Sequence, residues 1–489
     1  MKRNRGTLIA VIVVGALLAF TILDAKRVEK NDREKREANA LFKASAGDVV
    51  KVEISDRNPT RILEKKDGVW RLTAPIEDLA DVLEVTPLTE AIERETALET
   101  VSEERSEEKV DLATFGLEKP GVTAKVTLAN GETQTVKFGS VSSYDGSFYA
   151  QRGDDPKVFL VGGSLEGQLS KRLTEWRDKH LYRGPKERMF TSIELNERDA
   201  KGKTKYRVTL VKGEKAWSMK EIDAPLEVPA IEAFIEQVRA LRALDFTELD
   251  KKNAAALKEH RLDEPQMTVK LGDGKGEPYS IAIGPPLAEG EKAPRAAVSS
   301  DLATIVSIYG AAYTTLEKRP EDFLDRKAPF KYQVNDATRI QIRAPRANPP
   351  YTADFEKKGP DWVLISSEGA TGGLQKDLNT SKLNDVLTRM SVLEAVRFLE
   401  PVQASKVQLD SFIRLLKKDG SVEFEMKWGK PVTATPNADV PEVTYVPVTT
   451  SSSKRVVGVP TASLESLGIT DLGEEQTKQT ASPSATPAQ

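Results

Sequence analysis

Short runs in which apolar and polar residues alternate recur along the chain. Val50-Lys51-Val52-Glu53-Ile54, Ser192-Ile193-Glu194-Leu195 and Arg339-Ile340-Gln341-Ile342 each place apolar side chains on one side of an extended backbone. That period of two predicts strands with one packed and one wetted face. A turn follows each run, at Asp67-Gly68, Gly213 and Gly359, where the backbone can take a positive φ. Trp70, Trp217 and Trp362 stand just beyond these turns, on the returning strand. The period then changes to that of a helix. Ile231, Phe234, Ile235, Val238, Leu241 and Leu244 form one apolar stripe, and Leu383, Val386, Leu387, Met390, Leu393 and Val396 repeat its offsets. Leu88, Ala91, Ile92, Leu98 and Val101 fit the same stripe, which Glu95 interrupts. Pro87 and Pro229 suit a first helical turn, and Thr380 or Asn379 can cap the third helix.

Alternation returns after each helix. Lys125-Val126-Thr127-Leu128 leads through Asn130-Gly131 into Thr135-Val136-Lys137-Phe138. Asp273-Gly274 and Asp419-Gly420 stand between the corresponding runs further on. Asx-Gly between alternating segments is a strong hairpin signal. A closing helix is expected around Leu165 to Leu181, with a counterpart from about Leu302 to Leu316.

These signals have a long period. Gly139, Gly284 and Gly429 are spaced by 145 and 145 residues, and the three tryptophans by 147 and 145. Leu117, Glu118 and Pro120 match Leu262, Asp263 and Pro265, whereas Ser411 stands near the third expected proline. The expected fold is therefore α+β: an N-terminal transmembrane helix followed by three tandem repeats of about 145 residues, each with antiparallel hairpins packed against amphipathic helices. The repeats are placed at 44–184, 185–330 and 331–472, and a Thr-, Ser- and Pro-rich tail at 473–489 is expected to be disordered. Trp70, Trp217, Trp362, Gly139, Gly284 and Gly429 are the expected structural anchors of the repeats.

The transmembrane expectation rests on residues 6–23, an uncharged run preceded by Lys2, Arg3 and Arg5 in the basic end 1–5. Eighteen apolar residues are about the minimum for a hydrocarbon core of roughly 30 Å. Basic flanks stay cytoplasmic, which predicts a single-pass inner-membrane protein with most of the chain periplasmic. A cleaved signal peptide is the competing reading, but Leu23 occupies a position where a small residue is wanted before the cut. Residues 24–43 are densely charged and suit a stalk or linker.

Charge and composition narrow the function. The chain has 489 residues, 72 Lys and Arg against 75 Asp and Glu, no Cys and two His. The net charge of -3 argues against a nucleic-acid binder. Without Cys there is no disulfide framework, thiol nucleophile or Cys-ligated metal. His180 and His260 leave little for a triad or a His-based metal site. Gly272-Asp273-Gly274-Lys275-Gly276 lacks the spacing of a phosphate-binding loop and suits a hairpin turn. Ser164 lacks a nucleophile elbow. The acidic run Glu103-Glu104 with Glu107-Glu108 suits a solvated face. No catalytic residue, cofactor or metal is expected. An enzyme using Asp and Glu would need two convergent carboxylates in a cleft.

The phrases Lys66-Asp67-Gly68-Val69-Trp70-Arg71-Leu72-Thr73-Ala74-Pro75 and Trp176-Arg177-Asp178-Lys179, with the N-terminal apolar run, resemble the family of domain of unknown function 4340 over most of residues 44–472. The resemblance implies a bacterial envelope protein with no catalytic residues to carry over. It also implies an association with ABC-type export systems described as gliding-motility auxiliary components. The expectation is a non-enzymatic, membrane-anchored scaffold or adaptor whose protein partners include ABC permease or ATPase subunits. The alternative is a binder of envelope polysaccharide or peptidoglycan, which would stack glycans on exposed tryptophans.

Overall fold

The computed structural model describes residues 38–102, 111–142, 146–290, 292–333, 337–347, 350–369, 380–399, 404, 406–434 and 443–469. The chain divides into two compact units, Met1–His180 and Leu181–Gln489.

The first unit holds strands β1 (Val49–Ser55), β2 (Arg61–Lys66), β3 (Val69–Ala74), β4 (Asp78–Leu79), β5 (Ala97–Ser102), β6 (Val122–Leu128), β7 (Thr133–Val141), β8 (Phe148–Arg152) and β9 (Val158–Val161). They form one sheet in the order β4-β3-β2-β1-β6-β7-β8-β9-β5. The second unit holds two sheets. One comprises β10 (Ser192–Arg198), β11 (Thr204–Lys212), β12 (Trp217–Met219), β13 (Ala243–Asp250), β14 (Met267–Gly272), β15 (Tyr279–Pro286), β16 (Arg295–Ser299) and β17 (Thr304–Ile308). Its order is β12-β11-β10-β14-β15-β16-β17-β13. The other comprises β18 (Arg339–Ala344), β19 (Tyr351–Lys358), β20 (Asp361–Glu368), β21 (Arg397–Phe398), β22 (Leu409–Leu416), β23 (Val422–Gly429), β24 (Val432–Ala434), β25 (Val443–Thr450) and β26 (Val457–Pro460). Its order is β20-β19-β18-β22-β23-β25-β26-β21, with β24 on β25.

Lettered a to h along the chain, the strands of all three sheets run c-b-a-e-f-g-h-d. The first sheet adds β4 outside c. Strand d lies at one edge and strand c at the other, with β4 beyond it in the first sheet, so the link between them crosses the sheet, and it carries the long helix: Val82–Arg94, Val228–Arg239 or Thr380–Ser391. Each helix turns one stripe inward. In the second sheet the stripe is Ile231, Phe234, Ile235 and Val238, and in the third Leu383, Val386, Leu387 and Met390. Burying four such side chains contributes on the order of 6–12 kcal/mol before chain entropy is charged against it.

The hairpins between e and f share one device. Gly131, Gly274 and Gly420 have φ of 88°, 73° and 81°. The preceding Asn130, Asp273 and Asp419 each accept, through Oδ1, the backbone N–H two residues on, at 2.8, 2.9 and 2.9 Å. A short segment ahead of strand a is pinned near the start of d. Leu41 N–H donates to the Glu95 carbonyl and Leu181 N–H to the Leu241 carbonyl, at 2.9 and 3.0 Å. Leu41 and Phe42, at the end of the expected stalk, are therefore core residues, 2% and 1% exposed.

Two expectations are corrected. The fold is not α+β with a transmembrane helix: the described chain is mostly antiparallel β, in three sheets, with helices as minor elements. The helices are shorter than the apolar stripes predict. The helices stop at Arg94, Arg239 and Ser391, and Leu98, Val101 and Leu244 belong to strand d. Glu95, which broke the first stripe, is the residue that ends its helix. The expected closing helices are also largely not helix. Leu165–Leu181 contains only the short helices Ser164–Leu169 and Leu173–Trp176, and Leu302–Leu316 contains β17 before the helix Gly310–Leu316. Pro87 lies inside its helix, whose first turn starts at Val82 behind the capping Asp81.

The single-pass inner-membrane placement is corrected as well. Among the described residues no helix is long and apolar enough to cross a membrane. The helix Val82–Arg94 has 13 residues and spans about 20 Å, short of a hydrocarbon core of about 30 Å. Residues 6–23, on which that expectation rested, lie outside the described residues, as do Asn379, the acidic run at 103–108 and the tail 473–489.

Candidate functional site

The three recurring glycines sit where strand f passes beneath the segment leading into strand e. A Cβ at Gly139 would lie 2.1 Å from the Phe115 carbonyl oxygen, at Gly284 2.7 Å from that of His260, and at Gly429 2.3 Å from that of Gln408. No side chain fits there, whatever its φ. The tryptophans sit at the start of strand c, each opposite a lysine on strand b: Trp70 with Lys65, Trp217 with Lys212 and Trp362 with Lys357. Trp70 and Trp362 are buried, and Trp217 is half-buried against the core. The Trp362 indole N–H donates to Asn384 Oδ1 on the long helix at 3.1 Å.

The phrase Trp176-Arg177-Asp178 docks beside the start of the first long helix. Trp176 is fully buried, its carbonyl accepts the Asp81 N–H at 2.9 Å, and Arg177 Nε donates to Asp78 Oδ2 at 2.6 Å. Phe323-Leu324-Asp325 repeats this placement in the second sheet, where the Phe323 carbonyl accepts the Glu227 N–H at 2.8 Å. The buried Glu95 carboxylate accepts the Leu165 N–H at 3.2 Å, and burial holds its carboxyl above the usual range. His180 Nδ1 lies 2.7 Å from Asp178 Oδ1, and His260 caps the end of the helix Ala254–Glu259. Gly272–Gly276 spans the turn between β14 and β15, and Ser164 opens a six-residue helix. Among the described residues no group of three or more His, Asp or Glu is placed to hold a metal ion.

The structure adds two features. The first is a polar cluster inside the second sheet. Glu197 continues the inward parity of Ile193 and Leu195 and is 1% exposed. Its Oε1 accepts from the Tyr313 hydroxyl and, at 3.4 Å, from Gln266 Nε2. The Arg295 guanidinium lies 3.5 Å from the Tyr313 ring centroid, and its Nη1 donates to Gln266 Oε1 at 2.9 Å and to the Gly284 carbonyl at 3.2 Å. Glu197 Oε2 and the Tyr206 hydroxyl are buried without partners among the described residues. Burial, with Glu317 adding to it, pushes the Glu197 carboxyl up to about 7 against the pull of the Tyr313 hydrogen bond. Following the alternation one step past Leu195 would have placed a carboxylate in a core position.

The second feature is a groove of about 350 Å³ on the third sheet, lined by residues that include Gln341, Thr352, Asp354, Ser366, Glu368 and Phe412. Asp354 Oδ2 pairs with Arg339 at 3.0 Å, and its Oδ1 is buried without a partner among the described residues. The ladder between β19 and β20 shifts register at Asp354/Phe355, leaving Ile365 as an extra residue on β20. Sequence alone does not reveal such a shift.

A search of curated proteins and a search of solved structures each returned no match. The family model described as a domain of unknown function (DUF4340) matches residues 70–265 and again 247–411, so the repetition registers there too. By that match, which spans most of the three sheets, the chain belongs to the DUF4340 family.

Proposed function

We propose that the chain is a non-enzymatic scaffold or adaptor that holds protein partners on a surface built from repeated sheets. One observation carries this reading: the features that recur from sheet to sheet are spent on construction. The glycines admit a crossing backbone, two of the three tryptophans are buried, and the Asx-Gly pairs close hairpins. Repeated modules of this kind present an extended surface. The outward faces are laced with ion pairs, such as Lys51–Glu53 and Arg414–Glu425, which keep them polar. The groove on the third sheet is the contact we favour. Its exposed Glu368 suits a basic or hydroxyl-bearing side chain of a partner, beside the Asp354–Arg339 pair. A carboxylate pair for hydrolysis is disfavoured there because Asp354 is tied to Arg339. The narrower role, an auxiliary component of an ABC-type transport system, rests on the family resemblance. Binding of polysaccharide by a tryptophan row is disfavoured by the burial of Trp70 and Trp362.

The test is co-purification of the tagged full-length chain from detergent extracts of its own cells, beside the double variant Asp354→Arg, Glu368→Arg. Permease and ATPase subunits should accompany the native chain and be depleted with the variant. Enrichment of wall polysaccharide without protein partners would replace this reading with the polymer-binding one.

A further inference from the structure

One position is occupied differently in each of the three sheets, and the ladders identify it. Ile54, Leu195 and Ile342 on strand a pair with Ala124, Val269 and Ile413 on strand e. These in turn pair with Val136, Ile281 and Met426 on strand f, three residues before the anchoring glycines. Two residues beyond them stand Asp56, Glu197 and Ala344. In the first sheet the carboxylate is matched: Asp56 Oδ2 lies 2.7 Å from Arg61, and the Asp56 carboxyl is held below its usual range by its hydrogen bonds and the arginine, against the opposing effect of burial. In the third the position is apolar, a buried alanine. In the second a carboxylate is buried, and among the described residues no cation is bonded to it. The fold thus accepts an ion pair or a methyl group here and does not require Glu197.

We propose that Glu197 is a proton-uptake site, and that its ionisation loosens the contact between the inner end of the second sheet and the helix Gly310–Leu316. The groups facing it can be named element by element. Tyr313 comes from that helix, Gln266 from the approach to β14, Arg295 from β16, and Tyr206 is its partner across the ladder on β11. Glu317 and Lys205, paired with each other at 3.0 Å, and the more distant Arg319 and Asp322 near Tyr206 complete the charged surroundings. Arg295 directs its hydrogen bonds to Gln266 and the Gly284 carbonyl, and none to the carboxylate. Ionised in place, Glu197 still has Tyr313 and Gln266 as donors, but Oε2 carries charge in a buried site, and opening of the helix contact to solvent relieves that cost. Taking up one proton from solvent neutralises the carboxyl and removes that cost.

The sign follows. A carboxyl raised from 4.5 to about 7 in the folded protein supports folding fully below pH 4.5 and loses that support as pH rises through about 7. The displacement corresponds to a change on the order of 100-fold in the local opening equilibrium. The experiment is hydrogen exchange of the amides 310–316 in the full chain at pH 5.5 and 8.5, corrected for intrinsic rates, with Glu197→Gln and Glu197→Ala alongside. The alanine variant reproduces what the third sheet carries at this position. Protection should fall by one to two orders of magnitude between the two pH values in the native chain and stay level in both variants. An equal fall in native and variant chains would overturn the proposal. So would a Glu197 carboxyl that titrates below pH 5 by carbon NMR in the folded chain.

Discussion

A methyl group on Gly139 meets the Phe115 carbonyl oxygen at 2.1 Å, whereas one on Gly131 meets nothing within 4 Å. The two glycines are needed for different reasons. The first admits a crossing backbone, and the second takes a φ of 88°. Gly139→Ala should cost about 1–3 kcal/mol through overpacking, and Gly131→Ala about 1 kcal/mol through its backbone angle, both measured by urea titration. Equal costs would mean that the crossing segment yields freely. Recurrence at about 145 residues marks both kinds of glycine in the sequence, yet only the structure separates them, because a contact between Gly139 and Phe115 leaves no local pattern. Glu197 was hidden for a related reason. Its parity is legible from Ile193 and Leu195, but its neighbours Tyr313 and Arg295 arrive from distant strands and helices.

Elements were legible where chemistry marks their ends. Asx-Gly pairs mark the hairpins between e and f, and Pro229 marks a helix start. Helix ends were not legible, because apolar residues at helical offsets continue into strand d. Leu98 has the right spacing for the stripe but is 63% exposed on β5. Its neighbours Ala97 and Glu99 pair with Val161 and Leu160 on β9, and that backbone pairing, not side-chain periodicity, makes this segment a strand with Leu98 at a shift of register. At this scale the tryptophans differ. Trp362 is 4% exposed and bonded to the helix through Asn384, so Trp362→Ala should cost about 3–5 kcal/mol. Trp217 is half-buried on a three-residue strand, so Trp217→Ala should cost less, about 1–3 kcal/mol. Denaturant midpoints of the two variants check the order, and a larger loss at Trp217 would contradict the packing described.

Across the molecule, three sheets of one topology are distributed over two compact units. A single apolar cluster runs from Leu181 to Ile469 and joins the second and third sheets, while the first has its own. Calorimetry of the full chain should therefore resolve two transitions. Gly139→Ala should lower one of them, and Gly284→Ala and Gly429→Ala should both lower the other. A Gly429→Ala variant that shifts a transition untouched by Gly284→Ala would mean that the second and third sheets unfold separately.

The adaptor reading is tested most directly by a photo-crosslinking residue placed at Ser367 in the groove of the third sheet, compared with one at the outward-facing Lys125 of the first, in the full-length chain within its own cells. The account predicts adducts with transporter subunits at Ser367, reduced by Asp354→Arg, and few at Lys125. Protein adducts absent from Ser367, or equally abundant at both positions, would contradict it.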